Sequence, residues 1–302
     1  MSEQVIDVRQ LSRSFGETVA LDQVDLSVFA GCVFGLVGEN GAGKTTLLKH
    51  LIGLYAAKQG AVRVFDRDPV HETVEVLSHI GFLSEERDLP DWMAVGELAT
   101  FTAAFFANWD KTYAQELLDT FELSARQKVR TLSRGQRARM GLVLALAHRP
   151  RLLLLDEPSS GLDPVVRRDI LAAIVRTVAD EGRTVVFSSH LLDEVQRVSD
   201  NVAMLHRGRN VLTGSLDDVL ADHARLLVRF EEPRSAAPVV ESVLNCTGEG
   251  REWSVVCNGQ RETVERRLAE LGGEIIERGS PSLEEIFVAR IGGLAAEGVN
   301  AS

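Results

Sequence analysis

Cysteine is scarce in this 302-residue chain. Cys32, Cys246 and Cys257 are the only three, and they lack the paired spacing that holds zinc. A disulfide framework is therefore excluded as a source of stability. Long apolar runs are also missing: no stretch approaches the roughly 20 residues that cross a bilayer as a helix. Met1-Ser2-Glu3-Gln4 is not a basic segment leading into an apolar one, so no secretory leader is expected. Net positive charge is absent as well. Thirty-three Lys and Arg against 44 Asp and Glu leave −11, which argues against general affinity for nucleic acid or anionic lipid. No internal repeat points to a solenoid or to a duplicated domain. Any work at a membrane needs a second chain to hold this one there. What remains is 45% hydrophobic and 25% charged, an ordinary globular composition on a chain longer than one typical domain.

Against that plain background one stretch stands out. Phe34-Gly35-Leu36-Val37-Gly38-Glu39-Asn40-Gly41-Ala42-Gly43-Lys44-Thr45-Thr46 reads as a buried strand, a glycine-rich turn and a helix opening at Lys44 and running to about Gly53. Gly38 and Gly43 frame the G-x-x-x-x-G-K-[ST] spacing of a P-loop. Glycines let backbone N–H groups turn inward, and the helix N-terminus adds free donors and positive partial charge. Lys44 is then placed to reach β/γ-phosphates, and the Thr45 hydroxyl to bind Mg²⁺. The chain is expected to bind a nucleoside triphosphate.

The surrounding pattern fits an α/β protein. Val5–Val8 and Val24–Val28 alternate as half-buried strands on either side of a turn at Ser14-Phe15-Gly16, and residues 60–65 alternate again. On pattern alone Phe15 is a core plug. His79–Leu83 is a short apolar run ending in Ser84-Glu85-Glu86. From about Pro90 to Pro150 the period turns helical, and five of the chain's 12 Phe and 3 Trp fall between Trp92 and Trp109, which predicts a compact helical subdomain built on those rings. Arg151–Leu155 and Thr184–Ser188 are continuously apolar, as strands covered on both faces are. Asp163-Pro164 gives an N-cap and a Pro at N1, with Val166, Ile170, Ile174 and Val178 at i+4 spacing behind it. Three apolar strands thus end in loops rich in phosphate- or metal-handling residues, where open α/β sheets hold ligands. Residues 201–214 read as two strands turning at Arg207-Gly208. Beyond about 222 the pattern changes to a small α+β appendage over 223–291, with strands near 226–230, 253–255 and 274–276, a charged helix at about 260–271 and a capping box at Ser282–Glu285 opening a last helix to about Ile291. Residues 292–302 read as a disordered tail.

Two further motifs carry chemistry. Asp156 and Glu157 follow four leucines, where a carboxylate can hold Mg²⁺ through water and its neighbour can accept a proton from an attacking water. Ser133 and Gln136, in Leu132-Ser133-Arg134-Gly135-Gln136, form an S-x-x-Q capping box that exposes a second helix N-terminus able to bind an anion. Taken with the P-loop and His190, this ordered set resembles the nucleotide-binding domain of ABC transporters over about residues 4–220. The family signature Leu-Ser-Gly-Gly-Gln is LSRGQ here, Ser159–Asp163 is similar to the D-loop, and Ser188-Ser189-His190 to the switch histidine.

The resemblance implies a P-loop ABC-type ATPase domain over 1–222, with an N-terminal antiparallel β subdomain and a helical subdomain at about 88–150. It implies Lys44, Glu157 and His190 as catalytic residues and ATP with Mg²⁺ as ligands, the metal held by Thr45, Asp156 and Glu85. Gly38, Asn40, Gly41, Gly43, Lys44, Thr45 and Thr46 would hold the phosphates, Phe15 would stack on adenine rather than plug the core, and Ser133, Gly135 and Gln136 would close the site from a second copy. Homodimers, or heterodimers with a related ATPase, would drive a separately encoded integral-membrane permease, with the chain on the cytoplasmic face of the membrane. The aromatic stretch Leu89–Trp109 lies where the family receives that permease. Two departures stand out. Glu85 replaces the family's Gln, and a carboxylate binds Mg²⁺ more strongly than an amide while orienting water differently. Arg134 replaces a signature glycine. Both variants, with Pro281–Phe287, resemble the branch serving drug, antibiotic or lipid exporters. The alternative, a soluble ABC ATPase acting on nucleic acid or ribosomes, is opposed by the single P-loop and the net charge.

Overall fold

A computed structural model describes residues 3–179 and 182–299, which divide into two compact units at Leu212/Thr213. In the first unit, β1 (Gln4–Phe15) and β2 (Thr18–Phe29) form an antiparallel hairpin. The P-loop strand β3 (Val33–Gly38) comes next, and β4 (Gln59–Val64) returns to pair antiparallel with β1. The remaining strands build around β3. They are β5 (Ile80–Leu83), β6 (Leu152–Leu155), β7 (Thr184–Ser189), β8 (Asn201–His206) and β9 (Arg209–Ser215), and the sheet order is β5-β6-β7-β3-β8-β9.

Every residue of β3, β6 and β7 is buried, which is why these strands read as unbroken apolar runs. The pairings β5–β6, β6–β7, β7–β3 and β3–β8 are all parallel, so the ends of β3, β6 and β7 emerge on one side. The P-loop helix, Lys44–Leu51, ends two residues before the expected Gly53. Its Leu47, Leu48 and Leu51 join Leu36, Leu154 and Val186 of the large sheet and Ile6, Leu11 and Leu26 of the small one in a single core. Each such side chain stabilises the fold by about 1.5–3 kcal/mol on burial. Where β5 meets the helix Arg134–Leu146 there is no room for a side chain: a Cβ on Gly81 would collide with the Ala145 carbonyl oxygen.

The helical segment holds Val95–Ala103, Lys111–Thr120, a 3₁₀ turn at Val129–Thr131 and Arg134–Leu146. Its core is aliphatic, not the expected cluster of aromatic rings. Val95, Leu98 and Ala99 fill the inner face of the first helix, while Trp92, Phe101 and Phe105 are 72%, 51% and 70% exposed. Phe106 and Trp109 are half-buried: Phe106 stacks on His148 at 3.9 Å and lies 6.4 Å from the Trp109 ring. Asp163 caps Pro164–Ala179 as its spacing predicts, accepting from the Val166 amide, and Val166, Ile170 and Ile174 are buried; the side chain of Val178 lies outside the described residues.

The second unit starts ten residues earlier than the expected 223, because the short helix Leu216–Ala221, capped by Ser215, groups with the strands C-terminal to it. Its sheet orders β10 (His223–Arg234), β11 (Val243–Asn258) and β12 (Gly273–Gly279) as β11-β10-β12, all antiparallel. The helix Arg261–Glu270 lays Val264 and Leu268 onto Leu226, Val228, Phe230 and Trp253. Ser282 and Glu285 form the anticipated capping box, but the helix they open runs from Leu283 to Val299. Leu294-Ala295-Ala296-Glu297 are strong helix formers, so most of the segment expected as a disordered tail continues the helix; only 300–302 lie outside the described residues.

Because each unit has its own core, a chain ending at Asp222 should keep a cooperative thermal transition and the ellipticity of the first unit. Loss of cooperative unfolding by circular dichroism would show that the second unit completes the first core.

Candidate phosphate-binding and hydrolysis site

The P-loop cradle comes from local geometry. Gly41 (φ 82°) and Gly43 (φ 108°) take left-handed backbone, and a Cβ on Gly43 would strike the Ala20 carbonyl. Lys44, the first residue of the helix, is buried, and its Nζ donates to the carbonyls of Gly38 at 2.6 Å and Glu39 at 3.2 Å. The same ammonium lies 3.0 Å from Glu157 Oε1, both side chains being 5% exposed. An ion pair this deep is a commitment: deleting one partner typically costs about 3–5 kcal/mol, because the other charge is left uncompensated.

Glu157 and Asp156 arrive on the end of β6. The Asp156 amide donates to Leu83 at 2.8 Å, tying the loops after β5 and β6 together. Ser188, on the intervening β7, donates to Asp156 Oδ1 at 2.7 Å and accepts from the Glu157 amide at 2.8 Å. His190 Nδ1 lies 2.8 Å from Glu157 Oε2, donating in the tautomer that carries its proton there. The two oxygens of Glu157 thus meet one basic group each. A cavity of about 250 Å³ opens over this arrangement, lined by Asn40, Gly41, Gly43, Lys44, Thr45, Thr46, Glu85 and Glu157. Glu85 therefore lines the same cavity as Thr45, whereas Glu86 does not.

The structure gathers the P-loop, Asp156, Glu157, His190 and Glu85, but not the signature residues. Ser133 Oγ accepts from the Gln136 amide at 3.2 Å and Gln136 Oε1 from the Ser133 amide at 3.0 Å, the capping box read from sequence. Gly135 is buried against Val166, and a Cβ there would press into that side chain. None of Ser133, Gly135 and Gln136 lines the P-loop cavity. Phe15 is 43% exposed and so not a core plug. Its ring meets Tyr55 edge-on at 5.5 Å and carries the Arg13 guanidinium 4.7 Å above it.

Two buried charges beside the loop after β6 are not marked in the sequence. Glu194, 1% exposed, accepts from Ser159 Oγ and pairs with Arg167 at 3.0 Å, and burial pushes its carboxyl above the usual range. Arg87 is buried beneath the turn after Glu157. In the sequence it is one member of the charged run Glu85–Asp88, and nothing in such a run marks the member that turns inward.

The sequence profile described as ABC transporter matches residues 21–160. The ABC transporter ATP-binding protein YtrB of Bacillus subtilis is 29% identical over 289 residues, covering 96% of this chain and 99% of its own. YdbJ of the same organism, an uncharacterized ABC transporter ATP-binding protein, is 33% identical over 214 residues, 69% of this chain and 68% of its own. The bacitracin transport ATP-binding protein BcrA of Bacillus licheniformis is 27% identical over 306 residues, 96% and 98% of the two chains. Among solved structures, the ATP-binding subunit of an ABC transporter superposes with a TM-score of 0.66 at 26% identity over 72% of this chain and 92% of its own. The dimeric bacterial cassette MJ0796 shares the fold, with a TM-score of 0.63 at 24% identity over 70% and 98%. Profile, relatives and fold agree with the order of phosphate-handling loops along β3, β6 and β7: the chain belongs to the ATP-binding proteins of the ABC transporter family and is an ABC-type ATPase.

Proposed function

We propose that this chain is the motor subunit of an export complex. It would work as a dimer and drive a separate membrane permease from the cytoplasmic face. The observation that carries the reading is the seating of Glu157 between Lys44 and His190 on the wall of the P-loop cavity. Phosphate oxygens entering the loop compete for Lys44, since a phosphate carries more charge than a carboxylate and also receives the backbone N–H groups of the loop. Glu157, released from Lys44, stays on His190 and is free to take a proton from water. Ser188 keeps the Glu157 amide fixed meanwhile.

The residues present fit Mg²⁺. Among the described residues no three His, Cys, Asp or Glu cluster as a metal cage. Mg²⁺ does not need one, because it is held by one or two protein oxygens together with substrate phosphates. The Thr45 hydroxyl and the Glu85 carboxylate share the cavity, and Asp156 is buried behind it with one oxygen on Ser188. Bound there, the ion would neutralise charge on the β- and γ-phosphates.

A second copy is needed because none of Ser133, Gly135 and Gln136 lines the P-loop cavity of its own chain. In a head-to-tail pair, Ser133, Gly135 and Gln136 of one copy would close over the phosphates held by the other, and Phe15 would offer its exposed ring to adenine. Transport is supported by exposed aromatic surface. Trp92, Phe101 and Phe105 lie on the helical segment, where a rigid apolar anchor suits docking to a membrane partner. No helix among the described residues is long and apolar enough to cross a membrane. Export rather than import is supported by Glu85 and Arg134 and by the likeness to BcrA, whose name records bacitracin transport.

Glu157→Gln should keep ATP binding and lose about 10²-fold or more in hydrolysis, while the purified protein shifts to a dimer on size exclusion when ATP is added. Hydrolysis within about threefold of wild type would remove Glu157 from the base role. Glu85→Gln should leave hydrolysis intact but raise the Mg²⁺ concentration for half-maximal rate. An unchanged Mg²⁺ titration would place Glu85 away from the metal.

A further inference from the structure

Glu157 has a left-handed backbone (φ 46°), a conformation that side-chain-bearing residues adopt at a cost and that survives only where the surroundings impose it. The Ser188 bond to the Glu157 amide is one restraint. The other comes from the loop after β5. Arg87, 6% exposed and itself left-handed (φ 51°), sends Nη2 to the carbonyl oxygens of Glu157 at 3.2 Å, Pro158 at 2.9 Å and Ser160 at 3.2 Å. A guanidinium thus fills the inside of the turn that leads away from the carboxylate, and three carbonyl dipoles converge on it.

Arg87 is an expensive choice for a merely structural plug. No carboxylate pairs with it among the described residues, and its Nε and Nη1 are buried without a hydrogen-bond partner. Burial holds its pKa below the ordinary arginine value, Arg134 pushes the same way and Glu85 opposes them. An apolar side chain could fill the same space without that desolvation, and buried charges are often poor stabilisers compared with apolar replacements. Arg134, the residue standing at the signature glycine, presses on the same turn from outside. Its guanidinium lies over Gly161, where a Cβ would overlap it.

We propose that Arg87 is a positioning residue for hydrolysis: its guanidinium, bound to the carbonyls of Glu157, Pro158 and Ser160, fixes the left-handed backbone of Glu157 and so aims the carboxylate at the attacking water. This rests on Glu157 being the general base. It also gives the loop after β5 a direct mechanical hold on the catalytic carboxylate, since Glu85, on the cavity wall, is two residues from Arg87. Movement of that loop would carry the guanidinium, and with it the turn, without any change in the P-loop. Lysine cannot replace it fully, because its ammonium sits one bond closer to the backbone than Nη2 and falls short of the three carbonyls that Nη2 reaches.

The test uses the full-length chain with four variants: Arg87→Met, Arg87→Lys, Glu157→Gln and the Arg87→Met/Glu157→Gln double. Arg87→Met should lower kcat by about 10- to 100-fold, the range expected when a reacting group is misplaced by about an ångström. Its ATP affinity and its stoichiometry of one nucleotide per chain should stay within twofold of wild type, and Arg87→Lys should fall between the two in kcat. In single-turnover measurements the double variant should match Glu157→Gln alone, because a group that acts only through Glu157 has nothing left to aim. Wild-type kcat in Arg87→Met, or parallel loss of kcat and nucleotide stoichiometry in both Arg87 variants, would overturn the positioning role while leaving Glu157 as base. A further loss of tenfold or more in the double variant would overturn it as well, by showing that Arg87 acts independently. Should Glu157→Gln itself retain hydrolysis, the base reading fails first and the proposal falls with it.

Discussion

Lys44 and Glu157 meet 3.0 Å apart in a part of the molecule where neither could stand alone. They come from the ends of β3 and β6, strands that are not neighbours: β7 lies between them in the sheet. The pair can close only across β7, which is why Ser188 and His190, from the end of that strand and the loop beyond it, hold the Glu157 amide and carboxylate. Parallel pairing throughout this part of the sheet puts all three ends on one side. Each apolar strand is therefore also a positioning rod, and its full burial fixes where its terminal loop begins. The ion pair is compensated, and in the proposed mechanism it is exchangeable, since entering phosphate would compete with the carboxylate for one ammonium. Under that proposal the site holds its base still and releases it when substrate arrives.

The restraints around that pair are of two kinds. Ser188 and the β6 backbone act from within the sheet. Arg87 acts from the loop after β5, and Arg134 sits on the first turn of the signature helix, both outside the sheet. Salt bridges such as Arg139–Asp169 at 2.6 Å and Arg137–Asp91 at 2.6 Å tie the signature helix to the segments around it. The second of these, the more exposed, is individually worth little. The helical segment is thus anchored mainly by its aliphatic inner face, leaving Trp92, Phe101 and Phe105 turned outward.

What was legible in the sequence was what is decided locally. The P-loop is fixed by glycines at set offsets, the signature helix by a Ser and a Gln three residues apart, and the buried strands by unbroken apolar runs; each appears in the structure where its residues placed it. What was not legible depends on partners distant in sequence. Arg87 sits in a charged run and is buried only because three carbonyls 70 to 73 residues away curl around it. Aromatic residues between Trp92 and Trp109 suggested a ring-filled core, yet Val95, Leu98 and Ala99 claim the inner face at the same helical period. The second unit begins ten residues before the expected 223, because Leu216–Ala221 has no pattern of its own that assigns it to one side. The last helix outran its expected end because helix-forming residues come after Gly292.

In the proposed dimer a complete site takes its P-loop from one chain and its signature helix from another. Mixing two inactive variants tests it directly. Lys44→Ala disables the P-loop half. Ser133→Asp disables the signature half by placing a carboxylate where phosphate would sit, and it preserves the helix cap, since Asp is as good an N-cap as Ser; Gly135, packed on Val166, is the less clean choice. Each variant alone should be inactive. With random pairing in equimolar mixture, about half the dimers are mixed and one of their two sites is intact, so hydrolysis should return to about a quarter of wild type. Mixed dimers that form with ATP, shown by differential tagging, and yet hydrolyse none would contradict a site shared between chains.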